Sequence, residues 1–129
     1  MFSYLCLGTN DIARARVFYD SALAPLGHGR VPDYDDGRSS AWGLGDPGPH
    51  LWVTTPFDGN PASVGNGIMA SFLAPTRAAV DAFHAAAMAN GGTNEGAPGL
   101  RPQYGSDFYA AYVRDPDGNK INAVCYTAA

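Results

Sequence analysis

The chain repeats itself. Tyr4 falls on Met69 and Phe18 on Phe83, both at an offset of 65 (69 − 4 and 83 − 18), and Leu23-Ala24 falls on Met88-Ala89 in the same way. Near the end of each half, His50-Leu51-Trp52-Val53 falls on Lys120-Ile121-Asn122-Ala123 at an offset of 70 (120 − 50). Each repeat reads as one strand, one helix and three further strands. A single unit of that kind cannot bury both its sheet and its helix, so two must pair. The pattern predicts one α+β domain of two βαβββ pseudo-repeats, residues 1–56 and 67–129. They are joined by a linker at 57–66, within the loop-like stretch Pro56–Asn66.

Local signals place the elements. Phe2–Leu7 reads as a strand and Ile12–Leu23 as a helix capped by Thr9 or Asn10, with Ile12, Ala15, Phe18, Tyr19 and Ala22 on one face. Pro25 and Gly27 stop it. Three strands are expected at His28–Tyr34, Arg38–Leu44 and His50–Thr54, with a further strand at Gly67–Leu73. Arg77–Ala89 reads as the second helix, closed by Asn90-Gly91-Gly92, and Thr93–Gly105 as mostly loop with one short strand. Phe108–Tyr126 is a hairpin turning at Asp115-Pro116-Asp117-Gly118-Asn119. Pro116 pre-sets its own φ, Asp115 can accept backbone hydrogen bonds, and Gly118 takes a positive φ. That turn sets strand register, and register decides which side chains share a face.

Composition excludes several classes. Hydrophobic residues make up 46% and charged residues only 16%, with a net charge of −4 and no Lys/Arg cluster, which argues against a nucleic-acid surface. No apolar run reaches membrane-spanning length, and the N-terminus has no basic and apolar signal pattern. The two cysteines, Cys6 and Cys125, fall on opposite faces by strand phase, so a cytoplasmic protein with free thiols is expected. His28, His50 and His84 have no metal-ligand spacing, and His84 lies on a helix away from both expected sheets.

The segments NDIARARVFYDSALAPLG and YVRDPDGNKINAVCY, in this order of elements, resemble the vicinal oxygen chelate superfamily, which includes glyoxalase I, extradiol dioxygenases, fosfomycin-modifying enzymes and bleomycin-resistance proteins. The resemblance covers nearly the whole chain. It implies sheets curved into an open cup, with the helices outside and the ligand site within. The family's metal ligands, early in the first strand and in the last strand of each unit, map onto Tyr4, Trp52, Met69 and Asn122. None offers an imidazole or a carboxylate, so no metal and no cofactor are expected.

Strand alternation from those points gives the expected ligand-facing set of Tyr4, Cys6, His50, Trp52, Met69, Ser71 and Asn122. Tyr112 joins it because fosfomycin-modifying relatives carry a substrate-contacting Tyr there, and Trp42 joins as its repeat mate. Trp52 and Asn122 are expected to face each other across the site. The first functional reading is a metal-independent protein that binds a small molecule among aromatic side chains, as a homodimer. The alternatives are a lyase or dioxygenase of the glyoxalase type with an atypical ligand set that includes His50 and Tyr4, and a metal-free lyase or isomerase using Tyr112, His50 or Tyr4 as acid or base.

Overall fold

The computed structural model describes all residues 1–129. The first unit contains β1 (Tyr4–Gly8), α1 (Ile12–Leu23), β2 (Gly29–Arg30), β3 (Ser39–Gly43) and β4 (His50–Thr54). The second contains β5 (Ala70–Leu73), α2 (Arg77–Ala89), β6 (Thr93–Leu100), β7 (Tyr109–Arg114) and β8 (Lys120–Cys125). Both helices run over the residues expected of them, because their stop and start signals are local. Thr76 caps α2 by accepting from Ala79 N. On α1 the cap is Asp11, which accepts from Arg14 N, rather than Thr9 or Asn10.

The strands form two separate four-stranded sheets, in the orders β1-β4-β3-β2 and β5-β8-β7-β6. In each, the first strand runs parallel to the last, and the remaining pairs are antiparallel. This corrects the expected cup. No strand pairing joins the two sheets, and they neither curve nor close into one enclosure. Nor do the helices lie outside: α1 packs on the first sheet, α2 on the second, and the helices pack on each other. The physical reason is a single shared core. Phe18, Tyr19 and Leu23 of α1, Val80, Phe83 and Ala87 of α2, Trp42, Leu51 and Val53 of the first sheet, and Val113, Ile121 and Cys125 of the second are buried in one cluster. Each helix covers the apolar face of its own sheet, and the opposite faces of both sheets are left open.

Two strand expectations also change. Of His28–Tyr34, only Gly29–Arg30 pairs; Pro32 then starts a short 3-10 turn over Pro32–Tyr34, its fixed φ suiting the first position of a helical turn. Conversely, the one short strand expected within Thr93–Gly105 runs to eight residues, Thr93–Leu100, despite its Gly and Pro content. It is an edge strand with two register shifts against β7, where a missing N–H and an irregular ladder are tolerated. His84 of α2 is not remote from the sheets, since its Nε2 lies 2.9 Å from Oδ1 of Asn94 on β6.

The hairpin turn joins the units. Asp115 is buried and accepts four hydrogen bonds: from Asp117 N and Asn119 N at Oδ1 (2.9 Å each), and from Tyr19 Oη (2.6 Å) and Asn119 Nδ2 (2.9 Å) at Oδ2. Asn119 Nδ2 also reaches the carbonyl of Gly8 (2.9 Å), and Asp117 pairs with Arg14 (2.8 Å) and accepts from Asn10 N (2.9 Å). Gly118 holds φ +92°, the left-handed conformation this turn requires.

Candidate functional site

Register sorts the expected residues by face. In the first sheet Tyr4 lies opposite His50, Cys6 opposite Trp52, and Trp52 opposite Ala41. Tyr4, Cys6, His50 and Trp52 therefore share the open face. Trp42 does not. It is opposite Leu51, on the helix side, where it is buried, packs on Tyr19 (centroids 5.4 Å apart) and donates from Nε1 to Asp20 (3.0 Å). The repeat mate of Tyr112 is in fact Ala41. Trp42 opposes Leu51 whereas Val113 opposes Ile121, so the first hairpin is one residue longer, and one residue moves a side chain to the other face.

On the first sheet's open face, Tyr34 lies over Trp52 (centroids 5.0 Å, planes 33° apart) and stands edge-on to His50 (5.5 Å). Tyr4 meets Trp52 edge-on at 6.5 Å. His50 is buried, and its Nε2 is hydrogen-bonded to the carbonyl of Gly45, so the ring is committed to the β3–β4 loop. Cys6 is exposed, and partial burial raises its thiol pKa, which works against thiolate formation. A concavity of about 520 Å³ on this face is lined by Tyr4, Cys6, Arg38, Trp52 and Phe57 among others.

The second sheet's open face holds Met69, Ser71, Tyr112 and Asn122, which line a separate concavity of about 630 Å³ with Arg101, Tyr104, Phe108 and Lys120. Tyr112 lies opposite Asn122, and Asn122 opposite Ser71. Arg101 and Lys120 flank the Tyr112 ring at 5.5 and 5.8 Å from its centroid. Asn122 is 1% exposed, and its Oδ1 has no hydrogen-bond partner. Most buried polar atoms are paired, so an orphan on a residue that lines a cavity marks a place where a partner belongs. Trp52 and Asn122 do not face each other within the chain, since they line different concavities on different sheets. Lys120 follows from the alternation that places Asn122, two positions on, but strand phase alone does not single it out. Arg101, Tyr104 and Phe108 come from the β6–β7 connection, whose path has no period to read.

A scan of protein families finds the Glyoxalase/Bleomycin resistance protein/Dioxygenase superfamily over residues 2–123. The chain belongs to that superfamily. Among solved structures, a glyoxalase/bleomycin resistance protein from Albidiferax ferrireducens T118 is 41% identical, with TM-score 0.86 over 98% of each chain. More distant likenesses, which show the fold alone, include a glyoxalase/bleomycin resistance protein/dioxygenase family enzyme from Burkholderia phytofirmans PsJN (18% identity, TM-score 0.73, 97% of this chain and 98% of that one). Another is a lactoylglutathione lyase from Agrobacterium tumefaciens (21% identity, TM-score 0.64, 97% and 92%). No curated protein matches the chain.

The superfamily's metal enzymes raise the question of fit. The four corresponding positions of this glyoxalase-superfamily chain carry a phenol, an indole, a thioether and an amide, split between two sheet faces as Tyr4 with Trp52 and Met69 with Asn122. No group of three or more His, Cys, Asp or Glu is placed to hold a metal ion. This donor set does not suit a divalent cation. No helix is long and apolar enough to cross a membrane.

Proposed function

We propose that this glyoxalase-superfamily protein binds a small organic molecule on the open face of its second sheet, with Tyr112 as an apolar wall and Asn122 as the central polar contact, and without a metal held at the family positions. The observation that carries this reading is the buried, unpartnered Oδ1 of Asn122, a residue that lines a concavity of ligand size. Met69 and Ser71 line the same concavity. A ligand that binds only the folded state raises its stability, so a thermal-shift screen of small organic compounds is the test. We expect stabilising compounds whose effect is lost in Tyr112→Ala, whose own folding is checked by circular dichroism. A screen without hits, or hits indifferent to Tyr112→Ala, would place function elsewhere.

The same reading includes a homodimer. Strands β1 and β5 each pair on one side only, and the apolar side chains Phe2, Tyr4, Leu5, Ile68, Met69 and Leu73 at or beside these free edges are exposed. Leu73, for example, is 67% exposed. Unpaired edges beside exposed apolar side chains are surfaces that a second copy covers. Light scattering at tens of micromolar is expected to give twice the chain mass, and Leu73→Asp to shift the population to monomer. A monomeric wild-type protein would refute the assembly without touching the ligand site.

A further inference from the structure

We infer that the second sheet's open face selects a planar aromatic anion, with its ring against Tyr112 and its charge between Arg101 and Lys120. The inference rests on the reading of that face as the ligand site, and it adds the ligand's chemical class.

The charges are distributed unevenly. The chain has eight Lys and Arg residues in all, against a net charge of −4. Arg14, Arg16, Arg30, Arg77 and Arg114 all close ion pairs. Only Arg38, Arg101 and Lys120 do not, and two of those three flank the single ring of Tyr112. The one acid lining this concavity, Glu95, is already engaged, its Oε1 2.6 Å from Arg114 Nε. Two positive charges therefore meet at one aromatic surface without a counter-charge, in an acidic protein.

The guanidinium is held in place before any ligand arrives. Arg101 donates to the carbonyls of Gly99 (2.8 Å) and Ala97 (2.7 Å), which leaves further N–H groups of its fork free. Gly96 lies opposite Tyr112, and a Cβ there would come within 3.0 Å of the Tyr112 ring and 3.1 Å of the guanidinium. The missing side chain is what lets Arg101 sit beside the ring. Tyr104 and Phe108, edge to face at 5.3 Å, add a second aromatic wall. A flat ring fits against such walls, and a carboxylate forms charge-assisted hydrogen bonds to the free N–H groups.

The orphan acceptor adds a second requirement. Asn122 Oδ1 needs a donor. Lys120 and Asn122 are two residues apart on one strand and point to the same face, about 7 Å apart by strand rise. That separation matches an anionic group and a hydroxyl at opposite ends of one aromatic ring, so 4-hydroxybenzoate is the probe.

The experiment titrates isotopically labelled protein with 4-hydroxybenzoate, 4-hydroxybenzamide, benzoate and cyclohexanecarboxylate, following the Tyr112 and Asn122 amide resonances. 4-Hydroxybenzoate should bind about tenfold or more tightly than its neutral amide. That ratio should shrink as salt is raised. It should fall to near one in Lys120→Met and in Arg101→Gln, whose substitutions lie on the surface of the concavity. Benzoate should be weaker than 4-hydroxybenzoate in the wild type and equal to it in Asn122→Val, and the saturated-ring acid should be weakest. Equal binding of acid and amide, survival of the ratio in both charge variants, or acids that shift residues around Arg38 instead would each overturn the inference. If neutral compounds shift Tyr112 and Asn122 with no preference for acids, this inference falls and the proposed site stands; if none of the four probes shifts them, this inference falls, and the proposed site falls with it only when the thermal-shift screen also gives no hit.

Discussion

Asp115→Ala is expected to destabilise the protein by about 3–5 kcal/mol, as removal of one partner from a buried charged network does. The carboxylate accepts four hydrogen bonds, and its loss strands the hydroxyl of Tyr19 and the side chain of Asn119 inside the fold. Those two side chains also connect the units: Tyr19 comes from α1, and Asn119 reaches back to Gly8 at the end of β1. With a total stability of about 5–15 kcal/mol for a domain of this kind, the variant would lose a large share of its folded population on modest heating. Tyr19→Phe, which removes one of the four donors, should cost about 1–2 kcal/mol. Urea unfolding of the three proteins measures both values, and an Asp115→Ala midpoint indistinguishable from wild type would refute the account.

The same carboxyl has a pH signature. Burial, the largest cause, raises its pKa, and the hydrogen bonds from Tyr19 and Asn119 only partly oppose that. The unfolded chain therefore releases this proton at lower pH than the folded chain does. The contribution of Asp115 to stability is greatest below the unfolded pKa, falls as pH rises from there through the raised value, and is constant above it. Comparison of wild type with Asp115→Asn across that window isolates the slope.

Asn122→Val is expected to do the opposite and stabilise the ligand-free protein by about 1–2 kcal/mol, because a buried acceptor without a partner carries a desolvation penalty that the substitution removes. Valine suits the strand and differs little in size from asparagine, so the packing around this buried residue is kept. The same variant should weaken any ligand that stabilises the wild type. Higher stability with weaker binding is the mark of a residue kept for recognition, since a purely structural residue would lose stability when replaced. Calorimetric unfolding with and without a screening hit reads both effects. A destabilised Asn122→Val protein would mean that the amide is structurally partnered, and the proposed polar contact would fail.

Much of this protein follows from local chemistry. The helices Ile12–Leu23 and Arg77–Ala89 could be read because capping residues, glycines and prolines act within one turn of where they stand. The turn Asp115–Asn119 could be read for the same reason, and with it the open-face position of Asn122, since alternation along one strand needs no knowledge of any other strand. The separation of Cys6 from Cys125 follows in the same way: Cys6 is exposed and Cys125 buried in the core.

Other features depended on lengths and partners that no local signal encodes. Trp42 went to the core rather than the open face because its hairpin is one residue longer than that of its repeat, and a single residue reverses a strand's phase. The strand at Thr93–Leu100 ran longer than its composition suggests because an unpaired edge of β7 was there to receive it. The two sheets stayed separate around a common core because both helices bury their apolar faces between the units, a choice made by total burial rather than by any one stretch. The sequence by itself determined the elements and the face of each residue along its own strand. Only the tertiary structure brought Arg101 and Lys120 to the ring of Tyr112 and left Asn122 Oδ1 without a partner, because periodicity acts within one segment, whereas proximity and hydrogen-bond satisfaction depend on segments far apart in the chain.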